Sequence, residues 1–311
     1  MKAKHWAHMG ETTFVGGIWT LYWIHRLTGR AVFRFFLAPV VLMHWLLRPQ
    51  LRAASLQYLR RLHTATPGLF PREPGWREGL RHVALFSETM LDKLLAMAGR
   101  YPIDRVQRHG RENVNRAVAS GRGGIIVTAH VGCLELCRVM ADKSAKLKLN
   151  VLVHTRHAQA FNDVLNRLNP AGAVHLIEVT DIGAPLAMLL SEKVAAGEFV
   201  AIAGDRVPVT NSKTVNVDFL GHTAPLPVGA YVLASLLKCP LYLMGCVHED
   251  RGYGVHFETL ADQVELPRGK REEAMQAHAQ AFADALTRLL RRSPYDWFNF
   301  FPFWDQGHHE S

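Results

Sequence analysis

Gly124-Ile125-Ile126-Val127-Thr128-Ala129-His130-Val131-Gly132-Cys133-Leu134-Glu135 (GIIVTAHVGCLE) puts a run of apolar β-formers directly before a histidine, a glycine turn and a carboxylate. A short apolar run of this kind reads as a buried strand, and the following LCRVMADKSAKL reads as a helix. The same rhythm repeats: NVLVHT (150–155), AVHLIEV (173–179) and FVAIAG (199–204) are strand-like, and helical patterns lie near 133–145, 158–168 and 184–196. Strands alternating with helices imply parallel strands joined by crossover helices. Further on come a strand over TVNVDFL (214–220), a helix over 228–238, strands over PLYLMGCVH (240–248) and GVHFETL (254–260), and a closing helix over 270–292. The expected fold is α/β, a mixed and largely parallel sheet flanked by helices.

In front of this lies a different region. Thr12–His25 and Phe35–Leu47 are free of Lys, Arg, Asp and Glu, yet both fall short of the roughly 20 residues that cross a bilayer core. Arg26, Arg30 and Arg34 separate them, and Arg48, Arg52, Arg60 and Arg61 follow. That pattern suits segments lying in a membrane interface, with arginines on anionic lipid. A tilted span over 31–47 and a pair of ordinary core helices are the competing readings. Thr64–Trp76 (TATPGLFPREPGW) has three prolines and two glycines and is read as a loop, followed by a helix over 78–98 with apolar residues at three- and four-residue steps. The expected organisation is a helical membrane-associated region over 1–63 and an α/β domain over 64–311.

The chain has 311 residues, 49% of them hydrophobic, which is ample for a large core. Lys and Arg outnumber Asp and Glu by 36 to 27, so anionic partners are favoured. Nucleic acid is disfavoured among them, because no basic stripe with interleaved aromatics is present. Cys133, Cys137, Cys239 and Cys246 lie in apolar stretches without disulfide spacing and are expected in the core of a protein from a reducing compartment. Cys133 and Cys137 near His130 raise a zinc site, but no second Cys or His pair follows at zinc spacing.

Ligands of open α/β sheets gather beyond the carboxyl ends of strands, where His130 should stand. The Val131-Gly132 turn can return Glu135 beside it, fixing the imidazole tautomer and leaving Nε2 as a base. No G-x-S-x-G nucleophile elbow occurs in the chain, so the attacking hydroxyl would come from substrate. Taken alone, the pair reads first as a satisfied strand-end histidine and a carboxylate stabilising a helix N-terminus.

With the other blocks the sequence resembles the glycerolipid acyltransferase superfamily, and within it the bacterial lipid A secondary acyltransferases. HTRHAQAFNDVLNRL (154–168) is similar to that family's strand-Arg-helix block, AIAGDRVP (201–208) to its Asp-centred block, and FLGHTAPLPVGAYVLA (219–234) to its glycine-containing segment. PYDWFNFFPFW matches the closing pattern through Pro294, Trp297 and Trp304, with Pro302 and Phe303 where the family carries a basic pair. The resemblance implies acyl transfer from a thioester on acyl carrier protein, or on coenzyme A, to a hydroxyl of a membrane lipid or glycolipid. It makes His130 the base oriented by Glu135, and Arg156, Asn162, Asp205 and Arg206 the substrate contacts. No cofactor or metal is implied. The altered tail widens the acceptor class to other glycolipids, aminolipids and polyene lipids. The implied place is the cytoplasmic face of a bacterial inner membrane, against its anionic surface. A thioester hydrolase and a non-catalytic lipid-binding protein are the alternatives.

Overall fold

The computed structural model describes residues 15–141, 147–153, 174–178, 184–208, 213–250 and 252–306. The apolar N-terminal stretches are helices α1 (Val15–Thr28) and α2 (Arg30–Leu47), followed by α3 (Pro49–Ala65) and α4 (Trp76–Met97). Gly29 has φ 85, a left-handed conformation that only glycine adopts at little cost, and so α1 can break into α2 there. At the start of α4, Glu78 Oε2 accepts from the Gly75 backbone N–H at 2.8 Å, satisfying a donor the helix leaves open.

The α/β part runs β1 (Val106–His109), α5 (Arg111–Ala119), β2 (Ile125–Thr128), β3 (Leu149–Val153), β4 (Val174–Glu178), α6 (Ala184–Ala195), β5 (Phe199–Ala203), β6 (Thr214–Phe219), β7 (His222–Pro227), α7 (Gly229–Leu236), β8 (Leu241–Glu249), β9 (Gly252–Ala261) and α8 (Arg271–Arg292). Seven strands form one sheet in the order β1-β9-β8-β2-β5-β3-β4, parallel throughout except for the β8–β9 hairpin. β6 and β7 form a separate antiparallel ribbon. The fold class is as the alternation led one to expect.

The central strand β2, IIVT, is buried along its whole length, as a parallel strand covered on both faces must be. Val127, Leu243 and Val247 pack with Phe282, Leu286 and Leu289 of α8 on one face. On the other, Ile126, Met244, Cys246 and Tyr253 pack with residues of α2 and α4 such as Phe33, Leu37, Val83 and Leu94. α8 carries Glu272 and Glu273 in its first turn and Arg291 and Arg292 in its last, complementing the helix dipole at both ends. All four cysteines are free and buried, in keeping with their expected core role.

Three elements did not register in the alternation. β1 is a polar edge strand, VQRH; β7 contains Pro225 and Pro227, which strand patterns exclude; α5 buries only Val114 and Ala117. Of the helix expected over 133–145, the segment Leu134–Ala141 is a 3-10 helix, and 142–146 lie outside the described residues. The helix expected over 158–168 lies outside them as well.

Candidate active site

β2 and β5 are adjacent parallel strands in which Thr128 faces Ala203 across the pair. Two residues beyond each end stand His130 and Asp205, so equal advance along parallel strands brings them side by side. Asp205 is fully buried and clamps the histidine twice: the His130 backbone N–H donates to Oδ2 at 2.9 Å, and Nδ1 lies 2.8 Å from Oδ1. Two further donors converge on Oδ2, Trp297 Nε1 at 3.1 Å and Asn299 Nδ2 at 2.8 Å.

The turn after His130 depends on Gly132. Its φ is +47, and a Cβ there would sit 1.9 Å from the Cys246 carbonyl oxygen, so no other residue fits. The closing segment is stitched to the same turn: Gly132 N–H donates to Asp296 O, Phe298 N–H donates to His130 O, and Val131 bridges Trp297. Trp297 is wholly buried among Tyr58, Phe219 and Phe303. The aromatic tail is thus core, and it delivers two hydrogen bonds to the carboxylate that holds His130. Replacing Trp297 by Phe should lower stability by about 2–4 kcal/mol, since a buried charged acceptor loses a donor and the smaller ring leaves a cavity at a wholly buried position. Urea unfolding measures this, and an unchanged midpoint would contradict the role given to the indole.

Burial pushes the Asp205 carboxyl up, but His130, its hydrogen bonds and Arg206 outweigh this and hold it well below the usual carboxylate range. Burial and then Arg206 lower the His130 pKa, against the opposing pull of Asp205. At neutral pH the ring is therefore neutral, and an ionised carboxylate at Nδ1 fixes the ring proton there. Nε2 then carries the lone pair, and 35% of the side chain is open to solvent.

The expected partner of His130 differs from the observed one. Asp205 holds Nδ1 of His130, while the Glu135 carboxylate lies 3.5 Å from Lys93 Nζ of α4 and accepts a weak bond from Cys133 Sγ. The physical reason is that Nδ1 and the backbone N–H of His130 are both already committed to Asp205. Arg206 is held by the tail, Nε donating to Asn299 Oδ1 at 2.8 Å and Nη2 to Phe298 O at 3.2 Å, with its charge close enough to act on His130. Arg156 and Asn162 lie outside the described residues.

Sequence reading missed Asn299, Lys93 and a second histidine clamp. The His248 backbone N–H donates to Asp296 Oδ2, and Nδ1 lies 2.7 Å from Asp296 Oδ1, repeating on β8 the arrangement of His130. No local spacing announces any of these contacts, since Asp296 is 48 residues from His248.

The family model of the bacterial lipid A biosynthesis acyltransferases matches residues 79–306, from α4 to the end of the aromatic tail. The chain belongs to this family. It is an acyltransferase, and family membership gives it an acyl donor and a lipid acceptor. Among curated proteins no significant match is found. In this acyltransferase the matched region contains every residue of the His130 site just described.

Proposed function

We propose that this acyltransferase moves a fatty acyl group from a thioester, carried by acyl carrier protein or coenzyme A, to a hydroxyl of a membrane lipid or glycolipid, with His130 as general base. The observation that carries this reading is the doubly clamped His130, whose Nδ1 is taken by Asp205 and whose side chain is 35% exposed. The acceptor hydroxyl attacks the thioester carbonyl carbon as its proton passes to Nε2. The tetrahedral oxyanion then collapses, the C–S bond breaks, and the imidazolium returns the proton to the departing thiolate. Asp205 orients the ring and stabilises the imidazolium. Arg206, fixed by Asn299 and Phe298, supplies positive charge where the oxyanion develops. Glu135 acts on the site through Lys93. Arg156 and Asn162 are proposed as substrate contacts on the strength of the sequence blocks alone.

The lipid side of the reading rests on α2. Phe33, Leu37, Val41 and Trp45 face the protein, and Trp45 fits because Gly79 on α4 has no side chain. The opposite face exposes Phe35, Phe36, Leu42, Met43, Leu46 and Leu47, a contiguous apolar surface of the sort that marks a membrane contact. Among the described residues α2 alone is long and apolar enough to cross a bilayer. Its arginines favour lying flat instead: Arg30 donates to Asp92 at 2.7 Å and Arg34 to Glu88 at 2.8 Å, both on α4, which keeps α2 on the domain. The proposed location is the cytoplasmic face of the inner membrane.

Because the base must be neutral and its pKa is lowered, activity should fall only as pH drops through a value below His130's ordinary 6.5 and stay level from there to pH 8. A pH profile of kcat/KM checks this; an acid limb centred above 6.5 would contradict it. The test of transfer itself is thiol release from acyl-carrier-protein thioester with and without membrane lipid. Release should require the lipid, whereas undiminished release without any acceptor would identify a hydrolase.

A further inference from the structure

On the face of the sheet opposite the helix α2 and α4 packing, His109, Glu249 and His256 bring three ligand atoms together, all within 4.8 Å of one another. His109 and His256 are register partners on β1 and β9, and their rings stack at 4.4 Å between centroids with 13° between planes. Each directs Nε2 at the same carboxylate: His109 to Glu249 Oε2 and His256 to Glu249 Oε1, both at 3.0 Å. Gly254 makes the convergence possible, because a Cβ there would stand 2.3 Å from the Glu249 carboxylate, which lies across that position to reach both rings.

We propose that these three residues bind a divalent transition-metal ion of the zinc type. Two imidazoles and one carboxylate are a donor set that such ions favour, and solvent reaching the half-exposed His109 would complete four-coordination. A tetrahedral ion with bonds of about 2.0–2.1 Å needs its ligand atoms about 3.2–3.5 Å apart. The two nitrogen–oxygen separations of 3.0 Å, one to each carboxylate oxygen, are near that spacing, and the two Nε2 atoms, within 4.8 Å of each other, reach it by a tilt of the stacked rings. On binding, each Nε2 exchanges its proton for the metal, the ring proton moves to Nδ1, and Glu249 supplies the compensating negative charge. An ion here would tie the edge strand β1 to the β8–β9 hairpin. Nothing in the acyl-transfer reading requires it, so its test is independent of that reading.

The experiment is equilibrium dialysis of the full chain against Zn2+, with Co2+ absorption as a probe of coordination, in a background carrying His308→Ala and His309→Ala to remove the terminal histidine pair as competitor. One ion per chain is expected, with tetrahedral Co2+ bands. Tm should rise by about 4 °C when Zn2+ is a hundredfold above its Kd. His109→Ala lies at the surface and Glu249→Gln is isosteric, so both should fold; each should weaken binding at least about 100-fold, more than loss of an outer hydrogen-bond partner does. Absence of uptake at micromolar Zn2+, or uptake undiminished in both variants, would overturn the site.

Discussion

Asp205→Asn should lower kcat by about 1,000–10,000-fold while the protein stays folded. The reason is the distribution of donors around the carboxylate. Three N–H groups point at Oδ2, from the His130 backbone, Trp297 and Asn299, while Nδ1 of His130 faces Oδ1. An asparagine must place its oxygen among the three donors, so its NH2 turns toward Nδ1. The imidazole then accepts at Nδ1, its proton shifts to Nε2, and the ring can no longer act as a base. Glu135→Gln acts differently. Because Glu135 touches Lys93 rather than the ring, this variant should keep the acid limb of the wild-type pH profile whatever happens to turnover. Single-turnover acyl transfer across pH distinguishes the two; loss of the limb in Glu135→Gln with its retention in Asp205→Asn would reverse the assignment.

Phe35→Ser, Leu46→Ser and Leu47→Ser together should weaken partitioning into anionic phospholipid vesicles by about 100–10,000-fold. The three side chains are 74%, 62% and 70% exposed, and lipid contact would bury most of that surface. About 1–2 kcal/mol each gives ~3–6 kcal/mol in all, and each 1.4 kcal/mol is a factor of ten. The buried stripe of α2 is untouched, so the fold should persist. Vesicle co-sedimentation checks this. Unaltered sedimentation would remove the α2 surface from the account and leave the basic residues as the membrane attachment.

The fold was legible because its strongest signals are local. β2, β5 and β8 are short apolar runs, and α4 and α8 carry apolar residues at helical steps, all patterns that a single sequence displays. His130 was legible for the same reason, as a polar residue just past a buried strand. Its partner was not. Glu135 is near in sequence and Asp205 is 75 residues away, and only the β2–β5 register shows that Thr128 and Ala203 are neighbours and that residues two beyond each must meet. The block AIAGDRVP did mark Asp205, but a carboxylate beside an arginine reads as readily as a substrate contact. Likewise the aromatic tail was visible as a motif, while the use of Trp297 and Asn299 as donors to a buried carboxylate depends on packing between segments distant in the chain.

His130-dependent transfer to lipid is read out by mass spectrometry of membrane lipids incubated with isotope-labelled acyl-carrier-protein thioester, comparing wild type with His130→Ala. Labelled acyl chains should be ester-linked to a lipid in the wild-type sample, with none above background for His130→Ala. Labelled free fatty acid alone, or ester-linked label undiminished by His130→Ala, would contradict it.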